Sequence, residues 1–146
     1  MIPKSRKDIY DYIYGLLFGV VSENVYPMNE SQELTKSDVN DGFIVIRVGT
    51  MVDESEFKGE AFGWCRVYVE AYVPPMSRGR LDEDKYYAFE EAINEAIDNE
   101  VENGTSDEYA IIEDGIISWD DFDDSNANNV FYKFIKSFRV QIFNKQ

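Results

Sequence analysis

GWCRVYVEAYVPP, residues 63–75, is the stretch whose reading decides the fold. From Trp64 to Val73 two kinds of side chain alternate. Cys65, Val67, Val69, Ala71 and Val73 are small and apolar, whereas Trp64, Arg66, Tyr68, Glu70 and Tyr72 are large, aromatic or charged. A two-residue period belongs to a β-strand, because successive side chains leave opposite faces of the pleat. The first set is expected to face the core. The second set combines large aromatics with one Arg and one Glu, which suits a protein interface. It suits a half-exposed sheet face shielded by a helix equally well. Pro74-Pro75 offers no amide donors and ends the strand.

Upstream, Phe43 to Val48 is a short β-branched run between Gly42 and Gly49, expected as a strand with both faces partly covered. The connection Thr50 to Gly63 is polar and long for a hairpin loop, and it carries Phe57 without an evident partner. It is expected to be mobile until assembly orders it. Nearer the start, Ile9, Tyr12, Ile13, Leu16, Leu17 and Val20 share one helix face, and Ser5 with Asp8 resembles a capping box. A helix over about 5–21 follows, with a loop expected across the polar residues 28–41.

Downstream, Tyr86, Phe89, Ile93, Ala96 and Ile97 form one apolar stripe, which predicts a helix over about 82–101 closed by Asn103-Gly104. Tyr109 to Trp119 reads as a small hairpin turning at Asp114-Gly115, and WDDFDDSNANN, residues 119–129, as a loop. Tyr132, Phe134, Phe138, Val140 and Ile142 then alternate with Lys133, Ser137, Arg139 and Gln141 in a long last strand. The fold class expected is α+β, with two main helices packed on one face of a mainly antiparallel sheet. No internal repeat or linker divides residues 1–146, so one domain is expected.

The composition narrows the function classes. With 44% hydrophobic and 15% aromatic residues, the chain has enough apolar surface to fold. Its net charge of -15 opposes contact with nucleic-acid phosphates and anionic membranes. Cys65 is the only cysteine, so no intrachain disulfide or thiolate metal cluster can form, and a reducing compartment fits. No run reaches the roughly 18 apolar residues of a membrane span. A cytoplasmic location is expected, and the glycosylation sequons at Asn29 and Asn103 are then without consequence.

Catalytic signatures are missing. The sequence has no His, which removes the commonest general base, the usual triads and imidazole metal sites. Ser55-Glu56-Phe57-Lys58 matches a serine acylase pattern but lacks its companion motifs. No glycine-rich phosphate cradle occurs. The acids at Asp120, Asp121, Asp123 and Asp124 fail the calcium-loop spacing, since Asn126 stands where Gly belongs and Tyr132 where Glu belongs. No catalytic, cofactor-binding or metal residue is assigned.

Charge is segregated along the chain. Between Lys85 and Lys133 there is no basic residue, while acids from Asp98 to Asp124 crowd the window. From Ser125 onward Lys133, Lys136, Arg139 and Lys145 occur without an acid. Identical subunits could set one copy's basic strand against a neighbour's acidic edge, or the two regions could meet inside one subunit. The candidate subunit interface is therefore Trp64, Arg66, Tyr68, Tyr72 and Phe57 with Lys133, Lys136 and Arg139.

In order and spacing, the chain resembles the tail-completion and tail-terminator proteins of long-tailed phages over nearly its whole length. The resemblance rests on the opening helix, Val25-Tyr26-Pro27, the strand FIVIRV, the segment CRVYVEAYVPP, the second helix and Phe138-Arg139-Val140 in the last strand. It implies a non-enzymatic subunit that forms a ring, usually of six copies, at the head-proximal end of the tail tube and meets neck or head-connector proteins. Such a subunit would be made in the bacterial host cytoplasm and end in the virion tail. Two rival functions stand beside it. One is an acidic DNA mimic that inhibits a DNA-binding protein, and the other a monomeric accessory protein that binds one partner.

Overall fold

The computed structural model describes residues 6–27, 35–53, 61–77, 80–112, 117–119, 123–126 and 129–143. In chain order the elements are α1 (Arg6–Leu17), β1 (Val25–Pro27), α2 (Lys36–Asp41), β2 (Phe43–Asp53), β3 (Ala61–Val73), α3 (Glu83–Asn103), β4 (Tyr109–Ile112), β5 (Ile117–Trp119), β6 (Asp123–Asn126) and β7 (Asn129–Phe143). Five strands lie side by side in the order β1-β2-β3-β7-β4, and β5 and β6 also pair with β7. The β1–β2 pair is parallel, and every other pair is antiparallel. Helices and a mainly antiparallel sheet thus share one chain, as the mixed periodicities predict.

The alternation in β3 sorts as its residue types require. Cys65, Val67, Val69, Ala71 and Val73 are all fully buried. On β7 they oppose Val140 (from Cys65), Phe138 (from Val67) and Phe134 (from Ala71). The same core cluster takes in Ile9, Ile13 and Leu17 of α1 and Tyr86, Phe89, Ile93 and Ile97 of α3. Each such aliphatic or Phe side chain contributes about 1.5–3 kcal/mol by leaving water. Burial pushes the Cys65 thiol up to about 11, so it is a neutral core group.

Several expectations need correction. α1 stops at Leu17, four residues early, because Gly19 takes φ +79° and turns the chain away before Val20. Residues 28–41 are not all loop: α2 starts after Thr35, whose hydroxyl accepts from the Asp38 amide at 3.1 Å while the Asp38 carboxylate accepts from the Thr35 amide at 2.9 Å. That reciprocal capping box is short-range and was present in the sequence as Thr35-x-x-Asp38. Within the span 50–63, residues 50–53 belong to β2 and residues 61–63 to β3, so both ends are strand. Residues 54–60, the centre of the connection expected to be mobile, lie outside the described residues. Register shifts at Val48/Met51 and Ala61/Gly63 let the pairing continue past the regular alternation.

The hairpin over 109–119 does not form. Both β4 and β5 run antiparallel to β7, so they point the same way and lie one after the other along its edge. β7 is 15 residues long, which gives both segments room to pair along it in succession. The hairpin that does form here joins β6 to β7, within residues read as loop. α3 behaves as its stripe predicts: Asp82 caps its start by accepting from the Lys85 amide at 3.1 Å, and Gly104 closes it at φ +53°. Ser5, Phe57 and the turn Asp114-Gly115 lie outside the described residues.

Candidate functional site

The second face of β3 brings most of the candidate interface residues together. Trp64, Arg66 and Tyr72 are half-buried and Tyr68 is 37% exposed. Register places Lys133 of β7 directly opposite Tyr72, and Arg139 opposite Arg66. The Lys133 ammonium lies 5.6 Å from the centroid of the Tyr72 ring, and the Arg139 guanidinium 5.5 Å from that of Trp64. These cations sit against π-faces, which fixes their positions while leaving their charge in place. Phe43 of β2 stacks on Tyr72 with centroids 4.5 Å apart and planes 9° from parallel.

The acid on this face is already engaged. Glu70 is only 6% exposed; it accepts from Arg47 at 3.0 Å and from the Tyr72 hydroxyl at 3.0 Å. Arg47 belongs to β2 and is exposed, and beyond this pair the charged side chains of the face on β3 and β7, Arg66, Lys133 and Arg139, are all basic. In a chain of net charge -15, a face with Arg47, Arg66, Lys133 and Arg139 is a local inversion of sign.

Lys136 is the exception among the candidates. It opposes Val69 on the core side of β7 and is 6% exposed, because it shares the parity of Phe134 and Phe138 rather than of Lys133 and Arg139. Its charge acts on Glu90 of α3. Burial holds the Glu90 carboxyl above its ordinary pKa, the neighbouring Glu91 charge adds to that, and Lys136 opposes both. Replacing Lys136 by Met should therefore raise the Glu90 pKa further. A carboxyl titration by NMR checks it, and an unchanged or lowered value would refute the coupling.

A second polar cluster was invisible in the sequence. Glu100, on α3 and 5% exposed, accepts from the Tyr12 hydroxyl at 2.6 Å, the Thr105 amide at 3.0 Å and the Thr105 hydroxyl at 2.9 Å. Burial alone would raise the Glu100 pKa, yet the donated hydrogen bonds outweigh it and hold the carboxyl below its ordinary value. Burial, the bond to Glu100 and its charge push the Tyr12 phenol far up, so Tyr12 stays a donor. The residues lie 88 apart in sequence, and no local pattern links them.

Among the described residues no group of three or more His, Cys, Asp or Glu side chains is placed to hold a metal ion. Nor is any helix among them long and apolar enough to cross a membrane. Fold and face together define the protein by architecture: a mixed helix-and-sheet chain presenting an aromatic, cationic sheet face. No known protein family matches the sequence, and neither does any curated protein.

Proposed function

We propose that the chain is a tail-completion or tail-terminator subunit of a phage or prophage, a structural protein and not an enzyme. It oligomerises into a ring that caps the tail tube and joins it to the neck, in the cytoplasm of the bacterial host during assembly and then in the virion. In this reading α1 and α3 both cover the Cys65–Val73 face of the sheet, which leaves the opposite face for other chains. The observation that carries it is that opposite face: half-exposed Trp64, Arg66 and Tyr72, with Lys133 against the Tyr72 ring and Arg139 against the Trp64 ring. Aromatic and Arg side chains fixed in place are what interface hot spots consist of, since little rotamer freedom remains to be lost.

Sedimentation tests the reading. The wild type should associate at low salt, and Lys133→Glu with Arg139→Glu should weaken association by roughly tenfold or more while far-UV circular dichroism stays unchanged. Added salt should act in the same direction, because the Debye length falls to about 8 Å at physiological ionic strength. A wild type monomeric at high concentration and low salt would defeat the proposal. A second reading, the acidic DNA mimic, draws on the exposed acids of α3, among them Glu91, Glu95 and Asp98. Displacement of DNA from a basic protein by a purely monomeric chain would favour it instead.

A further inference from the structure

Charge placement on α3 identifies what the cationic sheet face would receive. α3 buries Tyr86, Phe89, Ile93, Ile97 and Glu100. At 3.6 residues per turn, Glu91, Glu95, Asp98 and Glu102 fall on the opposite side of the helix, and all four are exposed. Glu91 with Glu95, and Asp98 with Glu102, are like charges one turn apart, an arrangement that disfavours an isolated helix. No cation follows Lys85 within α3 to relieve them. A surface that a helix maintains against its own stability calls for a cationic counterpart.

The counterpart on the page is the sheet face. Lys133 and Arg139 are separated by about 20 Å of strand, at about 3.3 Å per residue. Glu91 and Glu102 are separated by about 16 Å of helix, at 1.5 Å per residue. Arg47 is paired with Glu70, the acid within the face, so Arg66, Lys133 and Arg139 are the cations set against the four acids. Among the described residues, the buried Arg139 Nε has no hydrogen-bond acceptor. Because the acidic side of α3 points away from the core that α3 shares with β3, one copy cannot lay its own stripe on its own face.

We infer that the cationic sheet face of one subunit receives the acidic outer side of α3 from a second copy of this chain. The contact is head-to-tail, so it repeats in one direction and closes into a ring when the rotation per subunit allows. This rests on the oligomeric reading above and names the surfaces that make it. The contact places carboxylates beside Lys133 and Arg139, where charge-assisted hydrogen bonds are the strong ones.

The test uses the full chain and two charge reversals: Lys133→Glu with Arg139→Glu on the face, and Glu95→Lys with Asp98→Lys on the stripe. In sedimentation velocity at about 50 mM salt, where screening is weak, each variant alone should lose roughly tenfold or more in association constant. An equimolar mixture should recover it, since intact face then meets intact stripe and reversed meets reversed. Neutral versions, Lys133→Gln with Arg139→Gln and Glu95→Gln with Asp98→Asn, should each lose less, and their mixture should regain only the contact of intact face with intact stripe, which keeps the test if a reversal fails to fold. A stripe variant that assembles like wild type while the face variant dissociates overturns this inference and leaves the ring standing. A mixture that does not recover overturns it as well, and a monomeric wild type overturns both it and the ring.

Discussion

Gly42→Ala should destabilise the protein by about 2–5 kcal/mol, read as a lower denaturation midpoint with an unchanged slope. Gly42 stands at the junction of α2 and β2 with φ +84° and ψ 175°, a region that side chains occupy at a cost of about 1–3 kcal/mol. A Cβ there would lie 2.6 Å from the Tyr72 carbonyl oxygen and 3.0 Å from the Phe89 ring. The carbonyl belongs to the central strand and the ring to the core, so neither yields without disturbing packed neighbours, at a further cost of about 1–3 kcal/mol. Rotation of the residue is resisted from both sides. Its amide donates to the Asp38 carbonyl at 3.0 Å, and its carbonyl accepts from the Ser22 hydroxyl at 3.2 Å and from the Asn24 side-chain Nδ2 at 3.2 Å. A loss under about 0.5 kcal/mol, the usual range for a surface change, would show that the junction is not held as described.

Glu100→Ala should cost about 1–3 kcal/mol, because it leaves the half-buried Tyr12 hydroxyl without its acceptor, while the exposed Thr105 can turn its amide and hydroxyl to water. Glu100→Gln should cost less, keeping an acceptor but losing the charge that strengthens each bond. The effect depends on pH with a definite sign. The folded-state carboxyl is held below its ordinary value, so the unfolded chain binds the proton more readily. The stabilisation is complete above the ordinary carboxylate value of about 4.3 and is lost as pH falls through the lower folded value. Denaturation curves across that window should show wild type and Glu100→Gln converging toward acid. Parallel curves would mean that the charge of Glu100 contributes nothing.

What the sequence disclosed, and what it hid, divides by distance along the chain. The strand at 64–73 and the helix closed by Gly104 were legible because their periodicity lies within consecutive residues. Placing Trp64, Arg66, Tyr68 and Tyr72 on one face followed from parity alone, and parity likewise put Lys133 and Arg139 on one side of the last strand. It also set Lys136 among the core positions, which grouping by charge obscured. α2 was legible in its capping box but masked by the turn-forming composition around it. The fate of β4 and β5 was not legible, since a local Asp-Gly signal competes with a long partner strand that arrives only later in the chain. The Glu100 cluster depends on Tyr12, far away in sequence, and pairing at that range is decided by tertiary packing.

Cys65 sits at 0% exposure on the central strand, its thiol raised to about 11 by burial. Only a thiolate attacks a labelling reagent, and this one is both scarce at neutral pH and sealed beneath side chains of two neighbouring strands. Modification must wait for the sheet to part. With no second thiol to compete, the rate at which the protein consumes such a reagent becomes a clock for opening of its innermost strand. The wild-type chain thus carries its own reporter of core opening.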